Sequence, residues 1–438
     1  MPTTDPEKTN GNASRRDFLR SATVAAGTLC VGLEIGRTAH AAASDVLKVG
    51  LVGCGGRGSG AALNALTADP NARLIAMADL LPQRLAASRN NLRQLKAEQM
   101  AVDDDHCFTG IDGYRHVIQS DVDVVLLALP TFFHPTYLMA CIEAGKHVFC
   151  EKIHAVDAPG VRLVHAAGEE ARKKNLSIVS GLAWRYDTRV QETMKRVHDG
   201  AIGEIVAIEE TCNTGSLRSR ARQPGWTEME YQLQDWYNFF WLSCDLPGLN
   251  LVHNLDKAAW AMHEEPPLAA WGLGGRQTRV GPQYGDVWDH HAIVYEYPNG
   301  TKMHAYCRQQ DGCITSIQDH FFGTKGRCNL LAGKIEGETN WRYEGPDCNR
   351  FDLEHVALFS AIRSGKPINN SLYMARSSML AIMATWACYT GQVITWADAM
   401  KSNHVVAPDR LALDDEPPTL PDADGNYPGP VPGITGFL

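Results

Sequence analysis

Three kinds of pattern are missing from this 438-residue sequence: a C-x-x-C pair, a block of basic residues, and an apolar run of membrane-spanning length after residue 44. Without C-x-x-C pairs, a zinc ribbon or a thioredoxin-type redox motif is disfavoured. Lysine and arginine number 41 against 50 aspartates and glutamates, so the clustered positive charge that nucleic acid binding needs is lacking. The longest apolar candidate, residues 122–133, is interrupted by Asp123 and Pro130. We therefore expect neither a nucleic acid partner nor a membrane span in the mature chain.

Composition and cysteine usage indicate a globular protein without a disulfide framework. Hydrophobic residues make up 44% of the chain, enough to fill the cores of at least two domains. Apart from Cys30, the cysteines are odd in number and irregularly spaced. The nearest pair, Cys307 and Cys313, is either bridged or simply buried, and burial is the commoner state of a free cysteine.

The N-terminus has the features of an export signal. Arg15 and Arg16 form a twin-arginine pattern within Ser14–Arg20, a mildly apolar stretch follows over residues 21–36, and Ala39-His40-Ala41 offers small residues to a signal peptidase. We therefore predict a Tat signal peptide over residues 1–43. The expected location of the protein is the periplasm or beyond, reached in the folded state.

Apolar strands alternate with amphipathic helices in the next part of the chain. This order is typical of a parallel sheet covered by helices on both faces. Residues 44–180 are therefore predicted to form a doubly wound Rossmann domain. The expected strands cover residues 46–53, 72–79, 122–129, 147–150 and 177–181. The first expected helix follows the first strand and ends at residue 68, and the others cover residues 83–100, 112–120 and 134–144.

A glycine pattern lies between the first strand and the first helix of this domain. Gly53 allows a tight turn, Gly55 lets the backbone approach a pyrophosphate, and Gly58 lets the helix pack closely on the strand. Asp79 ends the second strand, 21 residues beyond Gly58, where a carboxylate binds a ribose 2′-hydroxyl and repels a 2′-phosphate. The pattern predicts a nicotinamide dinucleotide, with NAD favoured over NADP.

The second half of the chain does not continue the strand–helix alternation. Strand-like segments at residues 205–214, 292–297, 302–309 and 326–331 surround an irregular, tryptophan-rich stretch, and helical patterns return at 352–364 and 374–390. Residues 181–400 are predicted to form an α+β substrate-binding domain with a large, mostly antiparallel sheet. Residues 401–438 are predicted to form a C-terminal arm, whose part from Asp414 to Leu438 is rich in proline, glycine and aspartate and is expected to be extended or flexible.

Several local motifs resemble the Gfo/Idh/MocA (glucose-fructose oxidoreductase / inositol dehydrogenase) family over nearly all of residues 46–400. Residues 129–134, LPTFFH, are similar to its T-P-N-x-x-H segment, and residues 144–152, AGKHVFCEK, to its A-G-K-H-V-x-x-E-K-P segment. Residues 181–187 resemble G-F-x-x-R-F-x, and residues 200–205 the start of the family's large sheet.

The resemblance implies a set of site residues. Lys152 is implied to lie beside the nicotinamide and the reacting hydroxyl, as proton-transfer group, and His253 is implied to be a second catalytic group. Arg185, Asp256 and Trp236 are candidates for substrate binding, although each also has a plain structural interpretation; the adjacent His290 and His291 point to opposite faces of a strand, so no metal site is expected. The cofactor-binding candidates are Gly53, Gly55, Gly56, Arg57, Gly58, Asp79, Pro130, His134, Glu151 and Lys152.

Two positions depart from the family pattern. Ile153 stands where the family has a proline after the lysine, so the turn is either trans or held cis at a local energetic cost of about 3 kcal/mol. Leu249 stands where the family has an aspartate four residues before its histidine. His253 therefore acts with less carboxylate support, or with Asp245 or Asp235 reaching in from the irregular stretch.

The function expected from the resemblance is oxidoreduction of a sugar or cyclic polyol with NAD. Because free nicotinamide cofactor is scarce outside the cytoplasm, we expect the NAD to be held tightly and regenerated in the site. Two alternatives remain open: an NAD-dependent, redox-neutral glycoside hydrolase on the same scaffold, and a non-catalytic sugar-binding protein. The resemblance also implies a homodimer or homotetramer.

Overall fold

The first half of the chain folds as a parallel sheet between two layers of helices. The computed structural model describes residues 46–217, 219–408 and 411–436; the twin-arginine segment lies outside the described residues. The six strands are β1 Leu47–Val52, β2 Ala72–Asp79, β3 Cys107–Thr109, β4 Val124–Leu127, β5 His147–Cys150 and β6 Ile178–Ser180. The helices are α1 Gly56–Ala68, α2 Pro82–Leu95, α3 Gly113–Gln119, α4 His134–Glu143 and α5 Ala158–Lys173.

The strand order of this sheet is β3-β2-β1-β4-β5-β6, with neighbouring strands parallel. The order reverses between β1 and β4, so a crevice opens beyond their carboxyl ends, where ligands bind in open α/β sheets. Every residue of β4 is buried, as expected for a central strand covered on both faces. The predicted doubly wound fold is confirmed.

Two helices differ from the sequence-based expectation. Helix α2 ends at Leu95 instead of residue 100, because the chain turns there and Met100 pairs with Leu74 of β2. Helix α5 is absent from the prediction; it begins at Ala158, where the Asp157 side chain accepts a hydrogen bond from the Gly160 amide at 2.8 Å. A buried apolar stripe along α5 packs it against α4.

The second half is built on a nine-stranded sheet. Its strand order is β14-β13-β12-β11-β7-β10-β9-β8-β15, and β7 and β10 pair in parallel while the other neighbouring strands described are antiparallel. The predicted large, mostly antiparallel sheet is confirmed. The strands are β7 Ile205–Thr214, β8 Ala269–Gly275, β9 His290–Glu296, β10 Lys302–Gln309, β11 Ser316–Gly323, β12 Gly326–Asn329, β13 Lys334–Gly337, β14 Trp341–Arg342 and β15 Ile394–Thr395.

Helices cover one face of this sheet, and one helix returns to the first domain. The helices of the second half are α6 Thr188–His198, α7 Glu228–Gln234, α8 Phe240–Ser243, α9 Val252–Ala261, α10 Arg350–Ser364, α11 Ser371–Thr390 and α12 Trp396–Lys401. Helix α11 is buried along almost its whole length between β8, α5 and α9. Helix α10 packs on α1, and its Leu358 and Phe359 join the core that contains Val49 and Leu51 of β1.

The described residues after α12 have no helix or strand, and they lie against the second domain. Tyr427 is buried, with the edge of its ring toward Phe239 at 4.9 Å between centroids. Farther along, the Gly433 amide donates to the Thr390 carbonyl at the end of α11, at 2.9 Å. This part of the chain is therefore a packed, extended arm.

Two further observations concern the described residues as a whole. Their eleven cysteines are all unpaired; Cys307 is buried and Cys313 is exposed, so these two are not bridged. Within the described helices, none combines the length and the apolar character needed to cross a bilayer.

Candidate active site

A cavity lies in the crevice at the carboxyl ends of β1 and β4. It is lined by the glycine turn after β1, by Asp79 at the end of β2 and by Leu129 and Pro130 after β4. Three residues of the second domain complete the wall: Leu233, Trp236 and Tyr237.

The glycine turn has the shape that a dinucleotide requires. A Cβ atom on Gly58 would stand 1.8 Å from the Gly53 carbonyl oxygen, so only glycine lets α1 start this close to β1. Gly53 has φ +95°, in the left-handed region that favours glycine. Gly55 and Gly56 face open space, and no side chain of the described chain caps the first amides of α1. Free amides at a helix N-terminus are what a pyrophosphate binds, so these residues fit NAD.

Asp79 is held at the edge of this cavity by two backbone amides. Its Oδ2 accepts from the Cys54 amide at 2.6 Å and its Oδ1 from the Leu81 amide at 2.9 Å. Each oxygen keeps a second lone pair for a ribose hydroxyl. Arg84 lines the same part of the cavity, and burial lowers the pKa of its guanidinium despite the charge of Asp79.

Arg57 joins the glycine turn to the end of β5. Its Nε lies 2.8 Å from Glu151 Oε1, and its guanidinium stacks on the Phe351 ring at 4.9 Å from the centroid. Burial raises the pKa of the Glu151 carboxyl, and the charge of Arg57 opposes that rise. Both residues were predicted to bind cofactor; Arg57 lines the cavity, whereas Glu151 contributes by fixing Arg57 and by accepting from the Lys152 amide at 3.1 Å.

His134, also predicted to bind cofactor, ties together two turns. Its Nε2 accepts from the Leu129 amide at 3.4 Å, and its Nδ1 lies 2.6 Å from the Ile153 carbonyl oxygen. The ring is fully buried, which lowers its pKa to about 4, so it is neutral at neutral pH. His134 therefore positions the Pro130 turn of the cavity relative to the turn that carries Lys152, instead of lining the cavity itself.

Lys152 follows β5 at the carboxyl edge of the sheet, and its peptide bond to Ile153 is cis. Its Nζ donates a hydrogen bond to the Leu249 carbonyl oxygen. Position 249, where the resemblance led us to look for an aspartate, thus supplies a backbone oxygen to the lysine. Burial lowers the pKa of the Lys152 ammonium, and the charge of Glu151 opposes that shift.

His253 lies near this lysine, in the first turn of α9. Burial lowers its pKa well below the usual range, and the positive charges of Lys152 and Lys257 lower it further. Its Nδ1 has no hydrogen-bond partner within the described part of the chain. Neither Asp245 nor Asp235 supports it: Asp245 bonds His291 and Asp235 bonds Asn238.

Arg185 and Asp256 bind each other. The Arg185 Nε donates to Asp256 Oδ2 at 3.0 Å, its Nη2 to Oδ1 at 2.8 Å, and its Nη1 lies 2.7 Å from Glu264 Oε1. The guanidinium also stacks on Tyr373, 4.1 Å from the ring centroid. Asp256 is 1% exposed and neither residue lines the cavity, so this pair, predicted to bind substrate, has its donors and acceptors engaged inside the second domain.

Trp236, the third substrate candidate, lines the nucleotide cavity instead. Its ring lies against that of Tyr237 with centroids 4.1 Å apart. Other cavity residues escaped the sequence analysis, since nothing in their spacing connects them to the glycine turn. They include Arg84, Tyr114, Phe133, Tyr137, Leu233 and Tyr237. Across residues 46–217, 219–408 and 411–436, no group of three histidine, cysteine or acidic side chains is arranged to hold a metal ion.

The first domain resembles a family of known proteins. The family model described as an oxidoreductase family with an NAD-binding Rossmann fold, Gfo/Idh/MocA, matches residues 47–175. Residues 47–175 of this chain are therefore similar to the Gfo/Idh/MocA oxidoreductase family. The glycine turn, free helix N-terminus and Asp79 are the features of an NAD site, and the cofactor of the domain is NAD.

Related sequences extend beyond that domain but do not span whole proteins. An inositol 2-dehydrogenase from Rubrobacter xylanophilus is 27% identical over 260 residues, which cover 59% of this chain and 63% of the relative. A glycosyl hydrolase family 109 protein from Phocaeicola vulgatus is 26% identical over 237 residues, or 52% of this chain and 39% of the relative. This chain thus spans less than two thirds of the length of these relatives.

Solved structures share the fold over most of this chain. A scyllo-inositol dehydrogenase from Lactobacillus casei, crystallised with NAD(H) and scyllo-inositol, has a TM-score of 0.61 at 18% identity, covering 81% of this chain and 100% of that one. An aldose-aldose oxidoreductase from Caulobacter crescentus, complexed with glycerol, also has a TM-score of 0.61 at 18% identity, covering 80% and 99%. At this identity the likeness establishes the fold.

Proposed function

We propose that this protein is an oxidoreductase that moves a hydride between NAD and a hydroxyl-bearing carbon of a sugar or cyclic polyol. The observation that carries the proposal is the placement of Lys152. This lysine follows β5 at the same edge of the sheet as the NAD cavity, with its ammonium hydrogen-bonded to the Leu249 carbonyl. The inositol dehydrogenase relatives support the substrate class.

We assign a separate chemical role to the bound cofactor, to Lys152 and to His253. NAD, when bound, accepts or returns the hydride. The Lys152 amine, with its pKa lowered by burial, takes the hydroxyl proton as the carbonyl forms and returns it in the reverse direction. His253 is neutral at neutral pH because its pKa is well below the usual range, so its imidazole orients the substrate hydroxyl by hydrogen bonding.

We further propose that the NAD stays bound through the cycle, with one substrate oxidised and a second reduced. The wall that Leu233, Trp236 and Tyr237 add to the cavity supports this view, because it would cover a bound nucleotide from the second domain. An aldose-aldose oxidoreductase among the structural neighbours has a name that describes such a reaction.

The first experiment is nucleotide analysis of the purified protein, by acid release and mass spectrometry. We expect bound NAD(H), which aldoses and cyclic polyols should reduce in a screen that follows the near-ultraviolet absorbance of reduced nicotinamide. Lys152→Met should slow that reduction about 10²–10⁴-fold while retaining the nucleotide, and Lys195→Met, at an exposed site on α6, is the matched control. A protein that neither contains nor binds NAD, or one that hydrolyses aryl glycosides without net redox change, would contradict the proposal.

We also propose export through the Tat pathway, on the strength of Arg15-Arg16 and the alanines at 39 and 41. Fractionation of cells that carry the full chain should place the protein outside the cytoplasm. A paired Arg15→Lys and Arg16→Lys variant should remain inside. Equal export of both forms would contradict this route.

Assembly into a homo-oligomer is a third part of the proposal. The outer face of the nine-stranded sheet, away from α9 and α11, carries Leu273 at 70% and Tyr306 at 37% exposure, beside half-buried Trp271. Apolar side chains clustered on an open sheet face favour a subunit contact. Light scattering should report a dimer or tetramer, and Leu273→Glu should reduce it to the monomer; a monomeric parent protein would contradict this part.

A further inference from the structure

Part of the second domain lies over the nucleotide cavity. We call residues 219–237 the cover segment; it includes α7. Leu233, Trp236 and Tyr237 of this segment line the main cavity together with the glycine turn. An adjoining cavity is lined by Gly55 and Gly56 on one side and by Arg220, Asp235 and Trp236 of the cover segment on the other. The cover segment therefore faces the same backbone that would bind a pyrophosphate.

Positive charge lies at this contact. Arg84 of α2 lines both cavities and Arg220 lines the second, close enough for the charge of Arg220 to lower the pKa of Arg84, whose main perturbation is burial. Within the described residues, neither guanidinium is in an ion pair with a carboxylate. Two arginines facing one cavity favour an anion between them, and a dinucleotide brings two phosphates to the glycine turn.

The cover segment is internally fixed. Helix α7 begins with a capping box, in which Thr227 Oγ1 accepts from the Glu230 amide at 3.1 Å and Glu230 Oε2 accepts from the Thr227 amide at 2.8 Å. After the helix, the buried Asp235 accepts from the Arg220 amide at 2.7 Å and from Asn238 Nδ2 at 2.8 Å. These bonds join the two ends of the segment and set the position of Trp236.

The C-terminal arm, residues 411–436, contacts this segment through residues that do not line either cavity. Thr227 Oγ1 donates to the Leu413 carbonyl at 2.5 Å, and Gln232 Nε2 donates to the Thr419 carbonyl at 2.6 Å. The buried Tyr427 donates its hydroxyl to Glu228 Oε1 at 2.5 Å. All three bonds end on or next to α7, so the arm would hold the helix in place.

The arm is itself anchored in the second domain. Thr419 Oγ1 donates to Asp286 Oδ2 at 2.8 Å, and Asp286 Oδ1 accepts from the Phe240 amide at 2.7 Å. Arg276 Nη2 donates to the Tyr427 carbonyl at 2.6 Å. A continuous series of contacts thus runs from the body of the second domain through the arm and α7 to the cavity wall.

We propose that Trp236 and Arg220 of the cover segment are cofactor-binding residues that retain NAD, and that Tyr427 of the C-terminal arm is a positioning residue for them. This inference rests on the proposed NAD-dependent function. It also makes Trp236 a cofactor-binding residue, although the sequence analysis had it as a candidate for substrate binding. Slow release of NAD would follow, because the nucleotide leaves only when the cover segment moves.

The test measures NAD dissociation from the full-length protein. Protein loaded with isotopically labelled NAD is mixed with excess unlabelled NAD, and the label retained is followed by mass spectrometry. Trp236→Ala should release NAD about tenfold faster or more, the size of effect that loss of one aromatic contact to a base has. Arg220→Gln and Tyr427→Phe should also accelerate release, whereas Val431→Ala, at an exposed position of the arm, should not.

Combined variants separate positioning from general destabilisation. If Tyr427 acts through the cover segment, Tyr427→Phe should add little to the dissociation rate once Trp236→Ala is present. Release rates equal to those of the parent protein in both single variants, or full additivity in the double variant, would overturn the inference while leaving the proposed function in place. A parent protein that binds no NAD would overturn both.

Discussion

The buried pair of Asp245 and His291 offers a quantitative test of the second domain. The Asp245 Oδ2 lies 3.1 Å from His291 Nε2 and accepts from the Tyr389 hydroxyl at 2.6 Å and the Trp288 amide at 3.0 Å. Both members of the pair are buried, Asp245 completely and His291 at 2% exposure. Burial lowers the pKa of His291, but the charge and hydrogen bond of Asp245 outweigh it and raise the pKa to about 10. The histidine is therefore a buried imidazolium at neutral pH.

Asp245→Asn keeps the size of the side chain but removes this counter-charge. Breaking one partner of a buried ion pair costs about 3–5 kcal/mol, because the other charge is left uncompensated. A shift of one pKa unit corresponds to about 1.4 kcal/mol, so a rise from about 6.5 to about 10 has the same order of magnitude. We expect the free energy of unfolding in urea to fall by that amount, against little change for Lys195→Gln in the exposed Lys195–Asp199 pair.

The free energy of unfolding should also depend on pH, in a direction that the pKa shift of His291 sets. The pKa of His291 is higher in the folded than in the unfolded protein, so its stabilisation is full below about pH 6.5 and declines as the pH rises to about 10. Asp245→Asn should flatten that decline. Urea unfolding across this pH range, followed by circular dichroism, measures both effects. An Asp245→Asn protein that is no less stable than Lys195→Gln, or whose stability declines with pH as steeply as the parent's, would refute the reasoning.

Three further predictions concern the site. Lys152→Met should lower turnover about 10²–10⁴-fold with NAD still bound, and a smaller loss in steady-state assays would argue against proton transfer by this lysine. Gly58→Ala should destabilise the protein by about 1–3 kcal/mol and weaken NAD binding in calorimetry, because its Cβ would stand 1.8 Å from the Gly53 oxygen. Gly60→Ala is the control: its Cβ would meet only the Arg57 side chain, at 3.7 Å, so stability and NAD binding should not change. Arg185→Met should cost about 3–5 kcal/mol in unfolding by stranding Asp256, and a normal stability with a raised KM would instead indicate substrate binding.

The first domain was predictable because its signals are local. A buried strand, a glycine turn, a helix and a terminal acid follow one another within residues 47–79, so neighbours in sequence are neighbours at the site. The position of Lys152 was predictable for the same reason, since residues that follow a parallel strand lie at the carboxyl edge of the sheet, where ligands bind. Helix α5 was missed although its apolar stripe is regular, because its start, Ala158-Pro159-Gly160, resembles a turn.

The second domain was less predictable because its contacts join distant residues. Arg185 and Asp256 are 71 residues apart, and nothing in either local pattern shows that each satisfies the other. The sequence offered Asp245 as a possible partner of His253, whereas the fold brings His291 of β9 to it. The parallel pairing of β7 with β10 is likewise a property of the whole sheet.

The sequence by itself determined the Rossmann domain, its NAD turn and the lysine at the sheet edge, because each depends on residues within a few turns of one another. The tertiary structure alone decided which side chains remain available for a ligand. It engages Arg185 and Asp256 with each other, makes His134 a link between two turns, and brings Trp236 and the C-terminal arm to the nucleotide cavity. Those outcomes depend on which charges and apolar surfaces meet across the fold. A buried polar group needs a hydrogen-bond or charge partner, and in these cases the partner comes from a distant part of the sequence.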